Sequence, residues 1–197
     1  MLISCKKEET KPTTNPTTET PTNTTESTGL EITVKDYLGN IITGAIVKLY
    51  LSEYDLIQGT NQVGSTSFSD KNGKVIFNNL LPTKYYWYIE SGCQNNVNGG
   101  VTTVSSLTEN KLNTLDVILS RTGTMLFVNS STDNYRVYIN GKAMFDMGGN
   151  TAKYKYNIPT GNYTIRVLQL DGYIFNATDI TYSGTVSCGN TLTTTFP

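Results

Sequence analysis

The sequence predicts an all-β protein: two tandem antiparallel β-sandwich domains behind a disordered N-terminal stalk. Three observations lead there. From Gly29 onward, short runs alternate apolar and polar residues and are separated by Gly-, Asn- and Asp-containing turns. The composition is rich in Tyr, Thr, Asn and Gly and poor in Ala, which favours strands and turns over helices. The 197 residues suffice for one large or two small domains. The expected division is 1–28 for the stalk, 29–120 for the first sandwich and 121–197 for the second.

Residues 6–28 read KKEETKPTTNPTTETPTNTTEST, without one large apolar side chain. Such a stretch buries too little surface to offset chain entropy, and Pro12, Pro16 and Pro21 extend it. Ahead of it, Leu2-Ile3-Ser4-Cys5 resembles the lipobox of bacterial lipoproteins. Lys6-Lys7-Glu8-Glu9 is similar to the lysine-plus-acid signal of surface-exposed lipoproteins of the Bacteroidetes type. The resemblance implies cleavage before Cys5, acylation of that cysteine and a lipid-anchored protein on the outer membrane, facing outward. Each buried methylene adds about 0.8 kcal/mol of membrane affinity, so two or three chains hold firmly. Only four residues precede Cys5; a secretory leader needs an apolar stretch of roughly 7–15 residues, so upstream sequence is expected. No apolar run approaches the length that spans a bilayer.

In the first domain, GLEITVKD places Leu30, Ile32 and Val34 on one face of a half-buried strand. YLGN is a turn. GAIVKLYL puts Ala45, Val47 and Leu49 in phase, and SDKNGKVIFNNL is a turn and a short strand in which Gly73 supplies a positive φ. KYYWYIES can bury either Tyr86, Tyr88 and Glu90 or, one residue out of step, Tyr85, Trp87 and Ile89. The second register is preferred, because a carboxylate inside is costly. NTLDVILS closes the unit with Leu115, Val117 and Leu119. The series Val34, Asp36, Gly39, Gly44-Ala45, Val47, Leu49, Asp70, Gly73, Phe77 and Leu80 resembles the carboxypeptidase regulatory-like, prealbumin-like sandwich. That resemblance implies a fold but almost no function.

The second unit has expected strands in GTMLFVNS, YRVYINGK, AKYKYNIP, NYTIRVLQL and TLTTTFP. INGK signals a type I′ hairpin. IPTGNYTIRV echoes LPTKYYWYI of the first unit and turns Tyr163, Ile165 and Val167 inward. The Tyr-Ile-Asn-Gly turn and the Pro-x-Gly-x-Tyr strand loosely resemble PEGA-like sandwiches, although the motif that names that family is missing.

The chemistry is sparse. There is no His, so no imidazole base and no His-ligated metal; no catalytic residue, metal site or cofactor is expected. With 15 basic residues against 16 acidic and no basic stripe, nucleic acid is not an expected partner. Besides Cys5, Cys93 and Cys188 are available. In an oxidising compartment they either form a disulfide that clamps one domain to the other or remain two separate thiols. Asp70-Lys71-Asn72-Gly73 faintly resembles the start of a calcium loop but reads as a turn, lacking the downstream acid. Asp133, Asp146, Asp171 and Asp179 read as turn formers. Four Asn-x-Ser/Thr sequons, at Asn23, Asn129, Asn162 and Asn176, are expected by chance in an Asn/Thr-rich chain.

The first domain is also similar to Cna B-type pilin domains, some of which carry a Lys–Asn isopeptide bond; Lys35, Asn113 and Glu90 are the nearest residues, but strand parity turns Lys35 to solvent. The long segment GCQNNVNGGVTTVSSLTENKLN reads as a recognition loop. Tyr37, Tyr54, Tyr154 and Tyr156 are candidates to stack on a sugar or a partner, but a strand tyrosine more often packs in a core or on a sheet face, and no ligand residue is assigned. The reading is a non-catalytic surface lipoprotein that binds or scaffolds, its partner a glycan, a host surface or a protein. The alternatives are an accessory subunit of an outer-membrane glycan-uptake or fimbria-like assembly, and a hydrolase with an unrecognised carboxylate site.

Overall fold

The computed structural model describes residues 27–197; Cys5 and the stretch assigned to a stalk before Ser27 lie outside the described residues, while Thr28, expected in the stalk, is instead buried and accepts the backbone N–H groups of Leu80 and Asn110, so the folded unit begins there. The first strands are β1 (Gly29–Lys35), β2 (Ile46–Tyr50), β3 (Val63–Phe68), β4 (Lys74–Phe77), β5 (Tyr86–Ser91), β6 (Gln94–Asn95) and β7 (Leu112–Ile118). A short helix, α1 (Glu53–Gln58), separates β2 from β3. Then follow β8 (Ser120–Asn129), β9 (Tyr135–Ile139), β10 (Lys142–Met147), β11 (Thr151–Pro159), β12 (Gly161–Gln169), β13 (Asp179–Val186) and β14 (Thr191–Phe196). The all-β class is as the alternation predicts.

In the first sandwich, a three-stranded sheet in the order β4-β1-β7 packs on β6-β5-β2-β3. Leu30, Ile32, Val34, Ala45, Val47 and Leu49 are fully buried between them, as their period of two demands. Tyr85, Trp87 and Ile89 point inward too, while Glu90 turns outward and accepts a hydrogen bond of 2.7 Å from the Tyr88 hydroxyl. The register that keeps the carboxylate out of the core is the one adopted. Burial and that carboxylate together push the Tyr88 phenol well above its usual range.

A second core gathers Met125, Phe127, Tyr135, Val137, Ile165 and Val167 between β10-β9-β12-β13 and the trio β11-β8-β14. The INGK hairpin has positive φ at both central residues, 49° at Asn140 and 80° at Gly141, as a type I′ turn requires. Antiparallel pairing dominates, but each sandwich contains one parallel pair: β1 with β7, and β14 with β8. Alternation fixes which face a residue takes, not the direction of its neighbour.

The units are joined through β8. It begins immediately after β7, and its first residues pair with β6, Gln94 opposite Arg121 and Asn95 opposite Ser120. The rest of β8 pairs with β11 and β14. One hydrogen-bonded sheet therefore runs from the first sandwich into the second.

Candidate functional site

The junction fixes how any surface is presented. Cys93 and Cys188 are disulfide-bonded in the structure, with Cα atoms 5.5 Å apart and 95 residues between them in sequence. Beside the bridge, Thr122 donates its backbone N–H to Cys93 O at 2.9 Å, and Gly189 N–H donates to Thr122 O at 2.9 Å. The Asn95 amide donates to Thr122 Oγ1 at 3.1 Å and to Asn157 Oδ1 at 2.9 Å; the Asn98 amide donates to Asn157 O at 2.8 Å. Asn157, with φ of 56°, lies in a bulge of β11 that turns its polar groups toward the first unit. The Asn-rich loop read as a recognition loop thus spends part of its polarity on the joint, and Arg121 stacks over the Tyr37 ring at 5.4 Å. This role of Asn95, Asn98 and Asn157 was not signalled by the sequence, where they sit in polar runs like any other.

The remainder of that loop walls a cleft of about 660 Å³. The segment after Gly100 runs beside the start of β5: Trp87 N–H bonds Val101 O, and Thr103 N–H bonds Tyr85 O. Opposite stands β7, whose only strand partner among the described residues is β1. The floor is apolar, with Leu30, Trp87, Leu107 and Val117, and the rim carries Thr102, Ser105 and Ser106. Asp116 is the one acidic residue of the lining, and it is ion-paired with Lys35; that ammonium holds its carboxyl below the usual range. The cleft thus offers shape and a strand edge rather than a reactive group.

The isopeptide trio is not assembled. Lys35 pairs with Asp116 and Glu90 with Tyr88. Asn113 caps the loop, its amide donating to Gly29 O, Thr108 O and Lys111 O. Asp70 accepts the backbone N–H groups of Asn72 and Lys74, both at 2.8 Å, the self-contained turn expected. The Lys74 N–H is the main cause of its lowered pKa. Asp146 and Asp179 do not form turns, which corrects the reading from sequence. They stand on β10 and β13 and form bidentate pairs with Arg136 and Arg166. Asp133 and Asp171 do serve loops, accepting from Gln169 and from Asn134. Among the described residues, no three His, Cys, Asp or Glu side chains are grouped to hold a metal. No helix among the described residues is long and apolar enough to cross a membrane.

The four singled-out tyrosines are all exposed, Tyr37 at 50%, Tyr54 at 71%, Tyr154 at 52% and Tyr156 at 65%. Two come together. Tyr154 and Tyr156 lie on one face of β11 with parallel rings, 5.7 Å between centroids and 5° between planes.

No family model matches the sequence, and no curated protein matches it. Among solved structures, the Streptococcal ancillary pilin is similar at 17% identity and a TM-score of 0.40, covering 87% of this chain and 63% of that one. The minor pilin GBS52 of Streptococcus agalactiae is similar at 13% identity and a TM-score of 0.31, covering 86% of this chain and 94% of that one. A leucine-rich repeat protein from Bacteroides thetaiotaomicron gives 11% and 0.34, with 87% and 26% covered. This chain spans less than two thirds of the ancillary pilin's length. At such TM-scores these likenesses carry no argument, and the fold rests on the strands and their register.

Proposed function

We propose that this chain is a non-catalytic, lipid-anchored protein of the outer membrane surface. Cys5 carries the lipid, residues 6–27 are the tether, and the two sandwiches form a stiff arm that presents binding surfaces to extracellular partners. The observation that carries this reading is the junction. A shared sheet, a cross-unit disulfide and an Asn network hold the units as one body, which suits presentation. The bridge belongs to an oxidising compartment, and we take it as the working state of Cys93 and Cys188.

The test expresses the gene with its upstream codons, as wild type and as Cys5→Ser, and follows acyl labelling, membrane fractionation and protease shaving of intact cells. A labelled, membrane-bound, shaved wild type beside an unlabelled variant supports the reading. An unlabelled protein that stays in the cytosol overturns it.

A second reading, an accessory subunit of an outer-membrane assembly, is favoured by one observation: the side of β7 that pairs with no strand among the described residues opens onto the cleft, a geometry that suits an extended segment of another protein. Crosslinking in intact cells, followed by purification, would recover the same partner each time.

A further inference from the structure

The outward sheet faces differ in charge. On β4-β1-β7, Glu31 pairs with Lys74 and Lys35 with Asp116. On β10-β9-β12-β13, Arg136 pairs with Asp146 and Arg166 with Asp179, with the Arg166 guanidinium 4.9 Å from the Tyr138 ring centre. The outward face of β11-β8-β14 has none of this. Register puts Tyr154 and Thr193 on either side of Leu126, and Thr191 and Thr195 flank Thr193 along β14. Between Thr124 and Val128 of β8, with Ala152, Tyr154 and Tyr156 of β11 and Thr191, Thr193 and Thr195 of β14, the residues that alternation places on this face are all Tyr, Leu, Val, Ala or Thr. The charged residues of β11, Lys153 and Lys155, alternate to the other side, Lys153 lying over the Phe145 ring at 4.4 Å.

Such a surface is unusual for an exposed sheet, which normally carries charges to stay soluble and unpaired. It offers two parallel aromatic rings on one edge strand, an aliphatic centre and a column of hydroxyls on the other edge. Aromatic faces attract the weakly polar C–H faces of a sugar ring, and hydroxyl side chains exchange hydrogen bonds with its hydroxyls. A charged ligand would find no counter-ion. We propose that this face is a binding site for a neutral polysaccharide, with Tyr154 and Tyr156 as the stacking platform and Thr191, Thr193 and Thr195 as hydrogen-bonding partners. The proposal rests on the reading of the chain as a surface binding module and names its ligand class.

The test is affinity gel electrophoresis of the full chain, made soluble by Cys5→Ser. The gels are cast with glycogen, a linear β-glucan, mannan, xylan or galactan, and with polygalacturonate and hyaluronan as charged controls. The expected result is retardation by at least one neutral polymer and by neither charged one. Tyr154→Ala and Tyr156→Ala should each weaken it about tenfold, and Thr193→Lys should weaken it while leaving both rings in place. Unchanged thermal melts show that the variants fold. The proposal is overturned if no neutral polymer retards the protein, if only charged polymers do, or if the double tyrosine variant binds as well as the parent. A protein partner lost on the same substitutions would also overturn it. None of these outcomes touches the surface anchoring, which the Cys5→Ser fractionation reads separately.

Discussion

Cutting the Cys93–Cys188 bridge should destabilise the protein through its unfolded state. The bond spans 95 residues. Releasing a closed loop of that size restores chain entropy worth about 4 to 5 kcal/mol at room temperature. If only the second unit opens while the first stays folded, the loop shrinks to roughly 70 residues, but the logarithmic dependence changes the figure by only a few tenths. Backbone bonds such as Thr122 N–H to Cys93 O hold the native junction without the bridge, so the folded state of Cys93→Ala/Cys188→Ala should change little. The assay is guanidinium unfolding followed by circular dichroism for both units and by fluorescence for the first. Trp87, the single tryptophan, is 3% exposed in the first core and donates its indole N–H to Gly100 O at 2.9 Å. A loss of at least about 2 kcal/mol is expected, allowing for native-state relaxation. A loss below about 1 kcal/mol with an unchanged denaturant slope would refute the claim that this bridge constrains the unfolded chain.

Two further outcomes follow from local geometry. Gly73→Ala should cost about 1–3 kcal/mol in the same unfolding experiment. Its φ is 74°, and an added Cβ would lie 2.7 Å from Ile41 Cγ2 and 2.9 Å from Val34 O; Gly44→Ala, where φ is 75° but the space is open, should cost less. Acid should also weaken the fold. The carboxyls of Asp70, Asp146 and Asp179 are held below their ordinary range by the Lys74 N–H, Arg136 and Arg166 respectively. A carboxyl with a lowered folded pKa stabilises above the unfolded value, near 4, and that contribution fades as pH falls through the folded value. Melting temperature should therefore hold from about pH 7 to 5 and decline below about pH 4. The gap between wild type and Asp70→Asn should narrow over the same range; a constant gap would mean that the charge of Asp70 is irrelevant.

Much of the fold is legible in single residues. Leu30, Ile32 and Val34 announce β1, Asn140-Gly141 announces its hairpin, and Glu90 settles the register of β5 because it must stay wet. The helix α1 is not legible although its signals are present. Ser52 caps Asp55 N–H at 3.0 Å and Gly59 ends the helix at φ 66°, but six residues with no buried side chain make no amphipathic pattern. Strand β3 escapes the alternation because VGSTSF is small and polar, and β13 because DITYSGTV carries a glycine that admits Leu192 against its backbone. Asp146 and Asp179 differ from expectation because an aspartate in sequence looks like a turn former, and only pairing of the strands brings Arg136 and Arg166 beside them. The tyrosine platform was half legible. Tyr154 and Tyr156 share a face by spacing alone, but the missing charge on the two adjoining strands depends on which strands adjoin, and β14 pairs with β8 across a separation no local pattern encodes.

The parallel pairing of β1 with β7 has a mechanical side. Seven residue pairs join Gly29–Lys35 to Leu112–Ile118, and β7 continues into the second unit as β8. Tension between Gly29 and the second unit drags β1 toward its own start and β7 toward its own end. In parallel strands those pulls slide one past the other, so the whole ladder is loaded at once instead of opening bond by bond from one end. Rupture under force is governed by the rate of unfolding. Along the main chain the strand that receives the pull is thus paired in the geometry that resists it best, while the Cys93–Cys188 bridge gives traction on the second unit a separate route into the first.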